Sequence, residues 1–148
     1  MKVTFMNGLT GCAGKYDGVV YYYDRTMNRV YARKKVYPAL SQQHEQVGTI
    51  SSRIYGLKPS RDYQLDLGYY LLEYNALHEN RDKPIRSWSS LYLRLMYNMA
   101  RSLPGIDLRT LTREMIFAQE LPCRSVRTAV VSGLLPEVPG WERLDREM

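Results

Sequence analysis

"GVVYYYDRTMNRVYARKKVYP", residues 18–38, decides how the chain is built. Its first half is β-branched and aromatic, a composition that suits a pleated, half-buried strand. Arg25-Thr-Met-Asn28 reads as a four-residue turn in which Asn28 takes a left-handed backbone. Arg29 to Tyr37 is then the return strand, and Pro38 ends it. A loop of that length sets the register. Asp24 falls opposite Arg29, Tyr22 opposite Tyr31 and Val20 opposite Arg33, while the other face pairs Tyr23 with Val30, Tyr21 with Ala32 and Val19 with Lys34. Side chains alternate across a strand, so one face is mostly apolar and the other aromatic and basic. Met1 to Met6 can add a third strand.

Upstream lies "FMNGLTGCAGKYDG", residues 5–18, which invites comparison with a phosphate loop. That loop needs G-x-x-x-x-G-K-[ST] opening a helix, so that backbone amides wrap the phosphates and a hydroxyl binds magnesium. With Gly14-Lys15 in place, the first glycine position is Leu9 and the hydroxyl position is Tyr16, and a strand follows. The spacing of Gly8, Gly11 and Gly14 does not match the dinucleotide fingerprint either. The glycines are expected to form a bend or bulge that leads into the hairpin.

Beyond Pro38 the period becomes helical. Val47, Ile50, Ile54 and Leu57 mark a helix over residues 42–57. Ser60 caps a second helix that runs to about Leu77, with Tyr63, Leu67, Tyr70, Tyr74 and Leu77 as its seam. "HENRDKP", residues 78–84, is a polar loop. Ser87 caps a third helix with Trp88, Leu91, Tyr92, Leu95, Met96, Met99 and Leu103 on one face and Arg94, Asn98 and Arg101 off it. Pro104-Gly105 stops it. Two shorter helices are expected near Thr112–Glu120 and Arg124–Ser132, with Gly133 as a C-terminal cap. A Pro-broken tail then makes one helical turn with Trp141 and Leu144. The expected fold class is α+β: a small N-terminal β-hairpin or sheet, about residues 1–37, packed on a bundle of four to five short helices in a single domain.

Composition narrows the function. The net charge is +6, and residues 1–40 carry seven bases against two acids, so nearly all the excess sits there. No apolar run approaches membrane length, and the N-terminus lacks the apolar region of a secretory signal. A cytoplasmic location is the default expectation, with non-classical export or release in a particle left open. Cys12 and Cys123 fit no zinc spacing and no disulfide framework; free thiols are expected, with a single long-range bridge as the alternative. His44 and His78 have no ligand-spaced partner and are expected at exposed helix ends. Asp62 and Asp66, one turn apart, are expected on a solvated face. No catalytic, cofactor-binding or metal-binding motif and no small-molecule substrate emerges, and the protein is expected to be non-enzymatic.

Two partner classes remain. Tyrosine is abundant, with 13 in 148 residues, and Tyr55, Tyr69 and Tyr97 fall off the helical seams. Such side chains bury large area and keep a polar handle, which suits interfaces. A "VVYYY" strand is also an aggregation hazard unless it is paired or covered. The first expectation is therefore a structural homo-oligomer, a filament, tube or shell subunit. Its hairpin residues Tyr22, Arg29, Tyr31, Arg33 and Lys35 would meet a neighbour, with an acidic surface near Asp62, Asp66 and Glu73 as their dock. The alternative is nucleic acid: the same five residues stack bases and neutralise phosphates. Residues 112–135 resemble a degenerate helix-turn-helix in which Ala118 and Leu121 pack, Ser125 starts the second helix, and Arg124 and Arg127 face outward.

Overall fold

A computed structural model of the chain describes residues 2–3, 14–24, 28–37 and 39–148. They divide into two compact units, Met1–Leu40 and Ser41–Met148, each described below by itself. The boundary falls two residues beyond the change of pattern at Pro38. The β content lies in the first unit and the helices in the second, an α+β composition.

Among its described residues the first unit holds four short antiparallel strands: β1 (Lys2–Val3), β2 (Gly14–Tyr16), β3 (Val19–Asp24) and β4 (Arg29–Lys34), in the order β1-β4-β3-β2. All six expected pairs between β3 and β4 are present, from Val19 with Lys34 to Asp24 with Arg29. Asn28 has a φ of 47°, as the turn requires. The third strand exists where Lys2 pairs with Tyr31 and Val3 with Val30. The rest of the expected Met1–Met6 strand, the glycine bend at Gly8 and Gly11, and Cys12 lie outside the described residues. β4 ends at Lys34, three residues earlier than expected. Its partner β3 begins at Val19; the Lys35 amide donates to the Gly18 carbonyl at 2.7 Å, and among the described residues no partner strand extends further.

The sequence reading missed β2, and the missed signal was Asp17-Gly18. Both residues have positive φ, 45° and 70°, the primed two-residue turn whose twist matches that of the flanking strands. It places Gly14 opposite Tyr21 and Tyr16 opposite Val19. A β-branched side chain is excluded at such a φ, so Gly18→Val is expected to cost about 1–2 kcal/mol. Hydrogen exchange across residues 14–24 should accelerate; unchanged protection would contradict this turn.

The second unit contains α1 (Gln42–Gly56), α2 (Arg61–Ala76), α3 (Trp88–Ser102), α4 (Arg113–Ala118) and α5 (Val126–Val131). Ser60 and Ser87 cap as expected, their hydroxyl oxygens accepting from the Tyr63 and Ser90 amides at 3.2 Å each. The α2 seam supplies buried Tyr63, Leu67, Tyr70 and Tyr74, and α3 supplies Leu91, Tyr92, Leu95, Met96 and Met99. Val126, Ala129 and Val130 from α5 close the same core. The last two helices are shorter than expected: a left-handed residue stops α4, while Pro122–Arg124 form a separate tight turn and Ser125 caps, so α5 begins only at Val126, and Gly133 ends it as expected. Glu120 (φ 48°) ends α4, and the Leu121 amide reaches back to the Ile116 carbonyl at 2.9 Å. Gly133 (φ 71°) ends α5 with the matching Leu134–Ala129 bond. Lys58 (φ 49°) follows α1 in the same way.

After a single turn at Trp141–Arg143 the chain runs irregularly across the N-terminal end of α2 and the α5 corner. The Arg127 amide donates to the Leu144 carbonyl at 2.8 Å, the Met148 amide to Arg124 at 2.9 Å, and the Ser60 hydroxyl to the Glu147 carbonyl at 2.8 Å. Met148 is buried, with the Tyr92 hydroxyl 3.8 Å from its Sδ, and Arg113 donates to its main-chain oxygen. Among the described residues no helix is long and apolar enough to cross a membrane.

Candidate interaction surfaces

The strand pairing brings four of the five expected hairpin residues to one face of the sheet. Tyr22 and Tyr31 are directly opposed and stack, with ring centroids 5.4 Å apart and planes inclined by 19°. Arg29 and Arg33 occupy alternate positions beside Tyr31, so they share its face; Lys35 follows just past the end of β4, and all three are exposed. Lys35 Nζ lies 5.7 Å from the Tyr37 ring centroid. The opposite face buries Val30 and Ala32. A stacked tyrosine pair flanked by cations can receive a planar or apolar group while neutralising an anion beside it.

The helix-turn-helix expectation fares unevenly. Ser125 does start α5, its hydroxyl oxygen accepting from the Thr128 amide at 3.1 Å, and Leu121 is buried. Ala118, expected to pack, is exposed. Arg124 does not stand free: its Nε is 3.1 Å from Glu147 and its Nη1 3.7 Å from Glu120. Arg127 is exposed on a six-residue helix that also exposes the apolar Val131.

One acidic expectation is overturned. Asp66 is buried rather than solvated, and accepts the Arg146 amide at 3.1 Å while facing its guanidinium at 3.6 Å. The tail covers it, and a tail fold-back cannot be read from α2 alone. Burial outweighs the contacts to Arg146 and leaves the carboxyl above its ordinary range. Asp66 is therefore not part of an open acidic dock, whereas Asp62 and Glu73 remain exposed.

Sequence reasoning followed the α2 seam and missed the opposite side of the same helix. Leu65, Tyr69 and Leu72 are 46%, 58% and 67% exposed. Their i, i+4, i+7 spacing makes a single stripe, which was visible in the sequence as a second apolar period. A groove beside it is walled by Tyr69, Leu72 and Glu73 on α2 and by Pro139 and Leu144 of the tail. In the first unit, Val36, Tyr37 and Leu40 are 65%, 80% and 76% exposed in irregular backbone just past β4. Of the three off-seam tyrosines, Tyr55 and Tyr69 are exposed, while Tyr97 is partly buried and packs on the core.

The groups able to do chemistry are dispersed. His44 sits exposed in the first turn of α1, its Nδ1 accepting from the Ser41 amide at 3.1 Å, and His78 is exposed after α2. Among the described residues no three acidic, histidine or cysteine side chains gather as a metal site would require. Cys123 is a free, fully buried thiol whose pKa burial pushes up to about 12. The thiolate is the reactive form, so native protein at pH 8 should leave Cys123 unlabelled by iodoacetamide, with labelling appearing in denaturant. Peptide mass spectrometry reads this site by site, and rapid native labelling would contradict the burial.

No known protein family, characterised protein or solved structure matches this chain. Function is therefore argued from the surfaces themselves.

Proposed function

We propose that this protein is a non-enzymatic structural subunit that assembles with copies of itself. One observation carries the reading: large apolar side chains are exposed in groups, Val36, Tyr37 and Leu40 close together in the sequence of the first unit and Leu65, Tyr69 and Leu72 as a helical stripe in the second. Apolar residues scattered singly over a surface need no explanation, but grouped ones mark contact surfaces. Two unlike groups on one chain suit a heterologous contact, which produces rings or open filaments according to whether the rotation closes. The stacked Tyr22–Tyr31 face adds a further surface of the kind that packs against a neighbour. Size-exclusion chromatography with light scattering, followed by negative-stain microscopy, tests this across a wide range of concentration and salt. Rings, tubes or filaments are the expected result. A single-chain mass under every condition would eliminate the reading.

The placement of Arg29 and Arg33 beside the tyrosine stack, with Lys35 just past β4, favours one second reading, a single-stranded nucleic-acid surface. It requires affinity that falls steeply with salt, with Arg29→Ala or Arg33→Ala each reducing the salt slope by about 1. Absence of binding at low salt would remove it. The two readings are compatible in a coat or packaging protein.

A further inference from the structure

The two sets of exposed apolar side chains match each other in chemistry and charge. On α2, a rise of about 1.5 Å per residue separates Leu65 from Leu72 by about 10.5 Å. Lys34 and Lys35 immediately precede Val36, and both are exposed. Asp62 lies one turn before Leu65, where the α2 stripe begins, Glu73 directly follows Leu72, and both are exposed on the same flank of the helix. A strap laid along the stripe in either direction thus brings its lysines to a carboxylate. The groove also holds Arg143 and Arg146, of which Arg146 is already paired with Asp66.

We propose that the strap of one copy, Lys34 to Tyr37 with Leu40, lies along the Leu65–Tyr69–Leu72 stripe of α2 on the next copy. This inference rests on the assembly reading and names its contact. The contact is head-to-tail, because strap and stripe are different surfaces of the same chain. Tyr69 is its central anchor, large and flanked by leucines, with the ionic pairs at the rim. Val36 and Leu40 cover Leu65 and Leu72, and the tail wall at Pro139 and Leu144 bounds the groove on one side. The lysine–carboxylate pairs contribute to partner choice more than to affinity.

The test uses two full-length double variants: Val36→Asp with Leu40→Asp, which disables the strap, and Leu65→Asp with Leu72→Asp, which disables the stripe. All four positions are exposed, so circular dichroism and thermal melting should match the wild type. The wild type should assemble, and each variant alone should fall to a single-chain mass by light scattering. Mixed one to one, they should form a two-chain species and nothing larger, because the mixture retains one intact strap facing one intact stripe. A second pair keeps the test independent of the aspartates: Lys34→Glu with Lys35→Glu, and Asp62→Lys with Glu73→Lys, should each weaken assembly and restore it when combined in one chain. Variants that assemble like the wild type would overturn this contact while leaving the assembly reading intact. A mixture that stays single-chain, or grows beyond two chains, would also overturn it. A wild-type chain that never assembles would overturn both.

Discussion

Tyr63→Ala is expected to destabilise the helical unit by about 3–5 kcal/mol, enough to unfold much of it. The side chain is fully buried and meets Tyr92 edge-on, with centroids 6.2 Å apart and planes at 82°. Its hydroxyl donates to the Cys123 carbonyl at 2.9 Å, joining the start of α2 to the corner before α5. Tyr63→Phe separates the two contributions. It keeps the ring but leaves the buried carbonyl without this donor, a loss of about 1–3 kcal/mol. Denaturant unfolding followed by far-UV circular dichroism measures both. Equal losses for the two variants would assign the effect to the hydrogen bond alone, and no loss for alanine would contradict the packing. Burial also holds the phenol well above its ordinary pKa, so it remains a neutral donor in mildly alkaline solution.

The second large effect is an asymmetry within one ion pair. Asp66 is buried, whereas the Arg146 side chain is half exposed. Removing the aspartate charge releases an arginine that water can solvate, so Asp66→Asn should cost under about 1 kcal/mol, with the amide oxygen still available to the Arg146 amide. Removing the guanidinium leaves a buried carboxylate holding only a backbone donor, and Arg146→Ala should cost about 1–3 kcal/mol at neutral pH. The cost should depend on pH. A carboxyl whose folded pKa is raised contributes its stability below the unfolded value of about 3.9 and loses it as pH rises through the folded value. Loss of Arg146 raises the folded value further, so the deficit of Arg146→Ala should be small near pH 3.5 and grow toward neutrality. Urea midpoints at several pH values measure it, and a deficit independent of pH would contradict the pairing.

The features that local chemistry dictates were legible in the sequence. Loop length and alternation placed Tyr22 opposite Tyr31 and every other β3–β4 pair, because a strand shifted by one residue turns its whole apolar face outward. Ser60 and Ser87 announced their helices through the hydroxyl that an exposed first turn needs. What escaped depended on tertiary context. Glu120 and Lys58 stop helices in a conformation that glycine or asparagine usually takes, so nothing in their identity marks the stop. Asp66 looks like a surface carboxylate until a segment 80 residues away folds over it. The α2 stripe was legible in principle, but a helix with apolar residues on two sides offers two faces for burial, and only the packed fold decides which one the core takes. The candidate surface was thus half read: the hairpin face came from its own pattern, while the stripe required knowing what α2 buries.

The tail clasp also bears on the order of events during synthesis. The start of α2 and the Tyr92 ring on α3 are completed by residues synthesised well after them: Glu147 on Ser60, Arg146 on Asp66 and Met148 beneath Tyr92. The helices can form and collapse as they emerge, but the clasp between the beginning and the end of the unit must wait for residues 144–148. Until then Asp66 and the pocket around Tyr92 stay open to water. A nascent chain that has not yet released residues 144–148 should hold a loosened, protease-sensitive α2, whereas the described strands of the sheet all precede residue 35 and need nothing from this segment.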